Sequence, residues 1–168
     1  ELDRPRAGVA SAGRAEGRPG ASMSRARTAD RVVTRERAVE VVRAYKSEGV
    51  KVVLANGVFD LLHVGHARYL AGARALGDRL VVAVNGDRSA HALKGPGRPV
   101  NAEQDRAFVL AALESVDGVC IFAERTAERF LAHAQPDIYV KGGDYTLDTI
   151  NPDERRIVEG AGGKIILI

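Results

Sequence analysis

Cysteine occurs once in these 168 residues, so the fold has no internal disulfide to rely on. That residue, Cys120, sits in the apolar run Val119-Cys120-Ile121-Phe122 and reads as an inert buried thiol of a reducing, cytoplasmic compartment. With no second cysteine, a redox or catalytic role for it lacks support. No apolar stretch approaches the roughly 18 residues of a membrane span, and the start of the chain lacks the continuous apolar core of a secretory signal. Dense clusters of carboxylates are missing too, which argues against a metal cage built from protein alone. A basic face is also lacking. The formal charge of +3 is misleading, because residues 1–37 hold nine Arg against five acids and the other 131 hold sixteen basic against seventeen acidic residues. A near-neutral body argues against a nucleic-acid enzyme.

The basic segment carries Arg4, Arg6, Arg14, Arg18, Arg25 and Arg27 among Gly, Ala, Ser and Pro. Its apolar surface is too small to offset ordering entropy, so residues 1–33 are expected to be a disordered basic tail. The chain begins at Glu1 and its only methionine is Met23. The tail is therefore expected to be a leftover of expression or of an early gene start, not a functional arm. Residues 34–168 have the length for one domain, and the chain is 45% hydrophobic, enough for a single core.

The body alternates strand and helix patterns. Thr34 is placed to cap a helix running to about Glu48, with Val39 and Val42 inward and Gly49 ending it. Val50 to Ala55 reads as a strand, followed by a turn and a helix to about Leu76, and Leu80 to Val84 as the next strand. The Gly/Pro-rich stretch from Lys94 to Pro99 predicts a loop. Asn101 and Gln104 suggest a capping box for a helix ending near Leu113. Val119 to Phe122, Ile138 to Val140 and Lys164 to Ile168 complete the strands. One further helix starts at Thr126 and stops before Pro136. Another opens on Asn151-Pro152-Asp153-Glu154, with a cap, a proline at the first position and two acids in the first turn. Such alternation predicts an α/β domain with a doubly wound, five-stranded parallel sheet. Ligands bind beyond the carboxyl ends of such strands, where residues 56–66, 85–101 and 141–147 all fall.

Chemistry concentrates in Asn56-Gly57-Val58-Phe59-Asp60-Leu61-Leu62-His63-Val64-Gly65-His66. Two imidazoles stand three residues apart, with a glycine between them, where a strand hands over to a helix N-terminus. The free N–H groups and dipole of that terminus make an anion site. Imidazole donors above it point to phosphate chemistry; the plain alternative is that His63 and His66 pack and hydrogen-bond locally. Lys94 offers a flexible point charge from its loop. Asn85 and Asp87 could hold substrate hydroxyls, although Asn-Gly-Asp is also an ordinary turn. Arg98 could pair with a phosphate or remain a solvated loop charge, and Arg106 could do the same or bridge to a neighbouring acid. In Lys141-Gly142-Gly143-Asp144 the glycines permit close backbone approach to a nucleotide. His91 and His133 lie outside these motifs and read as surface or packing residues.

The histidine motif resembles that of the His-x-Gly-His nucleotidyltransferases, which include glycerol-phosphate cytidylyltransferases and pantetheine-phosphate adenylyltransferases. Class I aminoacyl-tRNA synthetases carry a related signature on far longer chains. Three more segments are similar to the heptose 1-phosphate adenylyltransferase domain of lipopolysaccharide-core biosynthesis. They are Leu93-Lys94-Gly95 with Arg98-Pro99-Val100-Asn101, Ala111-Ala112-Leu113-Glu114-Ser115-Val116-Asp117, and Val140-Lys141-Gly142-Gly143-Asp144-Tyr145. The resemblance runs from about Val50 to the end of the chain.

The resemblance implies a Rossmann-like nucleotidyltransferase fold over residues 34–168. The implied reaction transfers an adenylyl group from ATP to a sugar 1-phosphate, D-glycero-β-D-manno-heptose 1-phosphate, giving ADP-heptose and pyrophosphate. It assigns catalysis to His63, His66 and Lys94. Nucleotide binding falls to Gly57, Val58, Phe59, Gly65, Lys141, Gly142, Gly143 and Asp144. Asp60 looks like a sugar-side or metal-side ligand, and Asn85, Asp87, Arg98 and Arg106 are the further substrate-binding candidates already named from the residues. Mg²⁺ would be held mainly through the triphosphate, with no protein ligand assigned. A phosphate monoester is already anionic at pH 7, with a second pKa of about 6. No general base is needed, and the enzyme supplies positioning and charge neutralisation. The expected partners are ATP, the sugar phosphate and a separate heptose kinase, with no nucleic acid and no membrane; a homodimer is one assembly open to it. Family members usually continue into a Ser-Thr-Thr segment that grips the triphosphate, whereas this chain ends at Ile168. Truncation and weakened triphosphate binding are the two readings of that departure. Two alternatives therefore stay open: a cytidylyltransferase acting on a polyol phosphate such as glycerol 3-phosphate, and a non-catalytic nucleotide-binding module.

Overall fold

Four successive side chains, Val52, Val53, Leu54 and Ala55, are fully buried. A strand with both faces covered needs such an unbroken apolar run. In the computed structural model, which describes residues 27–143, 145–146 and 148–168, this run forms the centre of a parallel sheet. The strands are β1 (Val32–Val33), β2 (Val52–Gly57), β3 (Arg79–Asn85), β4 (Gly118–Phe122), β5 (Ile138–Lys141) and β6 (Lys164–Leu167). The helices are α1 (Arg35–Ser47), α2 (Val64–Arg74), α3 (Asp87–Lys94), α4 (Glu103–Ala111), α5 (Glu128–Ala134) and α6 (Pro152–Gly160). The strand order is β1-β4-β3-β2-β5-β6, with every pairing parallel.

The chain winds in one direction from β2 through β3 to β4, then in the other from β2 to β5 and β6. The strand order therefore reverses between β2 and β5, and the crevice at their carboxyl ends is where such sheets take ligands. One face of the sheet is covered by α1, α5 and α6 through Ala38, Val42, Tyr45, Phe130, Leu131 and Val158. The other is covered by α2 and α4 through Leu70, Ala73, Ala107 and Leu110. The amino-terminal edge is held by carboxylates: Asp78, Asp117 and Asp137 accept from the amides of Lys51, Leu80 and Val52, each at 2.8 Å. With that edge closed by its own side chains, the opposite edge is left for function.

Several expectations need correction. The sheet has six strands, not five. The extra one, Val32–Val33, lies within the expected tail and pairs with Val119 and Cys120. Two β-branched residues show no alternation in sequence and become a strand only by pairing with β4. Residues 28–31 just before them form a 3-10 turn, and Arg31 donates to the carbonyls of Ala111 and Val116. Residues 1–26 of the expected tail lie outside the described residues. Helix α3 was not expected, and it places Lys94 at a helix end instead of within a loop. The capping box at Asn101 does not form: α4 begins after Ala102 without a side-chain cap, and the Asn101 Nδ2 donates to the Asp60 carbonyl at 2.9 Å. The caps at Thr34 and Asn151 form as expected, and Gly49 ends α1 at φ +76°. Among the described residues no helix is long and apolar enough to cross a membrane.

Candidate active site

The turn from β2 to α2 carries the paired histidines, and their placement follows from helix capping. His63 is the N-cap of α2, and its Nδ1 accepts from the Gly65 amide at 3.1 Å. The Nδ1 of His66 accepts from the His63 amide at 3.3 Å. The two rings thus do for this helix what a Ser and a Glu do in an ordinary capping box. Their centroids are 4.0 Å apart. Since each Nδ1 accepts a hydrogen, each neutral ring carries its own proton on Nε2, the nitrogen left for a ligand. Burial, and then the nearby His63 ring, push the His66 pKa below its ordinary value and favour this neutral form. Gly65 is required by contact: a Cβ there would lie 2.8 Å from His63 Cε1.

Phe59 supports the pair from below. Its ring meets His66 edge-on at 5.5 Å, and its backbone is held at φ +48°, a left-handed conformation that disfavours a bulky residue. A Cβ on Gly57 would come within 3.0 Å of that ring. Val58 is buried, and its carbonyl accepts from Arg106 Nη1 at 2.7 Å.

The second half of the crevice is the end of β5. Lys141 is 7% exposed and reaches across to β2, where its Nζ lies 2.9 Å from Asn56 Oδ1. A Cβ on Gly142 would lie 2.9 Å from the Tyr69 ring, so glycine lets β5 and α2 meet, and Tyr69 Oη donates to the Val140 carbonyl at 3.0 Å. Gly143 sits at φ +61°, a left-handed conformation suited to glycine. Asp144 lies outside the described residues.

The other candidates have internal partners. Asp60 Oδ1 accepts from the amides of Val100 and Asn101 at 2.7 and 3.1 Å, and its Oδ2 lies 2.8 Å from Arg98 Nη1. Its burial opposes ionisation, but the Asn101 and Val100 amides and the charges of Arg98 and Arg106 hold its pKa below the ordinary value. Asp60 and Arg98 thus fasten the Gly/Pro loop to the turn after β2. Arg106, 2% exposed, donates to the carbonyls of Asn101, Val58 and Asn85 and pairs with Asp87 at 2.6 Å. It is a clamp joining α4 to the carboxyl edge of the sheet. Asn85 is buried, and its Nδ2 donates to Ser89 Oγ at 3.2 Å. Lys94 is exposed and has no partner among the described residues.

The structure therefore brings together His63, His66, Phe59, Gly57, Lys141 and Gly142, and it gives Asp60, Arg98, Arg106, Asp87 and Asn85 the work of holding the surrounding loops. Asn56, Tyr139 and Glu154, which the motifs do not single out, form a bonded cluster with Lys141 at the end of β5. Asn56 opens the histidine stretch and was in view, but nothing in the spacing of Tyr139 or Glu154 ties them to it.

Residues 54–166 match the model of the cytidylyltransferase-like family. A curated relative from Salmonella arizonae, the bifunctional protein HldE, is 49% identical over 148 residues, covering 88% of this chain and 31% of its own. Its counterpart in Mesorhizobium japonicum is 48% identical over 139 residues, covering 83% and 28%. The chain thus spans less than a third of the length of these relatives. A lipopolysaccharide core biosynthesis protein from Thermoplasma volcanium superposes with a TM-score of 0.62 at 32% identity, over 71% of this chain and 97% of its own. Pantoate-beta-alanine ligase from Francisella tularensis superposes with a TM-score of 0.53 over 82% of this chain and 66% of its own, and its 13% identity shows likeness of fold alone.

Proposed function

The chain belongs to the cytidylyltransferase-like family of nucleotidyltransferases, and on that premise we propose that it transfers an adenylyl group from ATP to a sugar 1-phosphate, releasing pyrophosphate. The observation that carries this reading is the reciprocal cap of α2, which commits both Nδ1 atoms and leaves two Nε2–H donors over a helix N-terminus. Charge grows on the phosphoryl oxygens and on the leaving pyrophosphate during such a transfer, and fixed donors there stabilise the transition state. An oxygen of the sugar phosphate bonds to the α-phosphorus as the bond to the bridging oxygen of the β-phosphate breaks. Pyrophosphate departs with that electron pair. The attacking oxygen is already anionic, so the site needs no base. Lys94, exposed at the end of α3, is the cation suited to meet the outer phosphates.

Among the described residues no three His, Cys, Asp or Glu side chains gather to hold a metal ion. A Mg²⁺ ion would be held mainly through the triphosphate, with no protein ligand assigned, and would supply neutralisation of the pyrophosphate charge. The heptose assignment rests on the motif resemblance, supported by the likeness to a lipopolysaccharide core biosynthesis protein at 32% identity. The relatives are bifunctional and much longer; the motif resemblance adds a separate heptose kinase on the route to the sugar phosphate to this reading. The family's description favours a second reading, cytidylyl transfer, for which the motif resemblance suggests a polyol phosphate as acceptor. Pyrophosphate release from ATP or CTP, each with heptose 1-phosphate or glycerol 3-phosphate, separates them. Turnover with ATP and heptose 1-phosphate is expected. A preference for CTP with glycerol 3-phosphate would overturn the sugar assignment, and silence in all four would favour a non-catalytic nucleotide-binding module.

A further inference from the structure

Beside the histidines lies a buried polar cluster that this chemistry does not use. Asn56 Oδ1, at the end of β2, accepts from Tyr139 Oη at 2.7 Å and from Lys141 Nζ at 2.9 Å. Glu154 Oε2, from the first turn of α6, lies 2.9 Å from the same hydroxyl and 3.1 Å from the same ammonium. The other carboxylate oxygen, Oε1, accepts from the Ala127 amide at 2.9 Å. Glu154 is held in place by the cap of its own helix, since Asn151 Oδ1 accepts from the amides of Asp153 and Glu154. The side chains of Lys141 and Glu154 are 9% and 4% exposed.

Stability does not account for such a pair. The desolvation of two buried charges offsets much of their attraction, and apolar replacements are often neutral or better. Hydrogen-bond accounting suggests another use. The tyrosine has one proton for two acceptors, whereas the ammonium has three and serves Asn56 and Glu154 together. An ammonium can only donate, so it fixes the carboxamide with Oδ1 turned inward. The half-buried Asn56 then keeps both Nδ2 hydrogens without a partner among the described residues, beside Gly57 where the strand order reverses.

We propose that Asn56 is a further substrate-binding residue, donating through Nδ2 to a phosphoryl oxygen in the crevice, and that Glu154 is its positioning residue, acting through Lys141 and Tyr139. This rests on the phosphate-transfer reading above. Burial lowers the Lys141 pKa and Glu154 works against that fall. The other groups facing the amine are the rings of Tyr139 and Tyr145, at 4.8 and 5.1 Å. Tyr69 lies next to the same strand end, bonded to the Val140 carbonyl. Without Glu154 the desolvation acts unopposed and the amine sheds its proton at lower pH. A neutral amine can accept from Nδ2, which lets the carboxamide turn inward and withdraw its donors.

The test is the dissociation constant of ATP and of CTP with Mg²⁺, measured by calorimetry from pH 7 to about 10.4, the ordinary lysine value. Each variant is compared with wild type at the same pH. Asn56→Ala is expected to bind about tenfold more weakly at pH 7, as for one lost charge-assisted bond, with the deficit shrinking only where wild-type Lys141 itself loses its proton. Glu154→Gln is expected to stay within about threefold of wild type at pH 7 and to fall at least about tenfold below it in the pH window where its own amine is neutral and the wild-type amine is still charged, the two converging again above that window. Adding Lys141→Arg to Glu154→Gln should remove that pH dependence, because a guanidinium stays charged. Wild-type affinity for Asn56→Ala overturns the proposal, and that half-buried position carries the test if Glu154→Gln does not fold. A deficit in Glu154→Gln that is equal at every pH, or that survives Lys141→Arg, overturns the positioning role. If wild type binds neither nucleotide, the phosphate-transfer reading falls and takes this one with it; failure of the variant pattern with wild-type binding intact refutes this inference alone.

Discussion

His66 performs two tasks with two nitrogens, and substitution can separate them. Its Nδ1 accepts from the His63 amide at 3.3 Å, while its Nε2 is the donor assigned to phosphate. Asparagine places a carbonyl oxygen near the Nδ1 position and nothing near Nε2. Glutamine places an amide nitrogen near Nε2 and nothing near Nδ1. His66→Asn should therefore keep the cap and lose the donor, with stability within about 0.5 kcal/mol of wild type. Its kcat should fall by roughly 10²–10³-fold, the range for a lost transition-state donor. His66→Gln should do the reverse. Loss of the cap costs about 1 kcal/mol, or roughly 3 °C in melting temperature for a domain of this size, while kcat should stay well above that of His66→Asn. Thermal melts and initial rates of pyrophosphate release provide both readouts. The folded-state pKa of His66 is depressed, so its contribution to stability is present above the unfolded value of about 6.5 and is lost as pH falls through the folded value. Wild type should therefore lose more melting temperature than His66→Asn on acidification from pH 7.5 to about 5. Full activity in His66→Asn would refute the assignment of Nε2 as the donor.

Arg106→Lys should destabilise the domain by about 2–4 kcal/mol in urea unfolding, because one ammonium cannot reach the carbonyls of Asn101, Val58 and Asn85 together with Asp87. Gly142→Ala drives a methyl to within 2.9 Å of the Tyr69 ring and should cost about 1–3 kcal/mol, while a Tyr69→Ala, Gly142→Ala double variant should lose less than the two single effects combined. Cys120 is fully buried and its thiol pKa is raised to about 12, chiefly by that burial. It should resist thiol reagents at pH 8 in the native protein and react at once in denaturant.

The parts of the site that could be read in the chain are those in which one local segment carries both the signal and its consequence. The run into β2, the glycine between two histidines and the helical spacing after them are contained within about 25 residues. Together they placed a strand, a turn and a helix start correctly. Asn151-Pro152 likewise predicted the start of α6, because a cap is settled by its immediate neighbours. Long-range partners were not visible in this way. Asp60 meets Val100 and Asn101 forty residues on, Arg106 meets Val58 and Asn85, and Val32–Val33 becomes a strand only against Val119 and Cys120. A charged residue in a promising motif looks the same in sequence whether it will face a ligand or a carbonyl.

By itself the sequence determined the alternation of strands and helices, and hence a parallel sheet with the histidine motif at its carboxyl edge. It also determined that two imidazoles would stand over a helix N-terminus, since spacing and capping are local properties of the chain. Only the tertiary structure decided which polar groups remain available there. It closed Arg106 into a clamp and turned Asp60 towards its loop. It also set Glu154 behind Lys141 across three elements that no local pattern connects. The physical reason is that availability depends on desolvation and on what already occupies each donor and acceptor, and both are properties of packing.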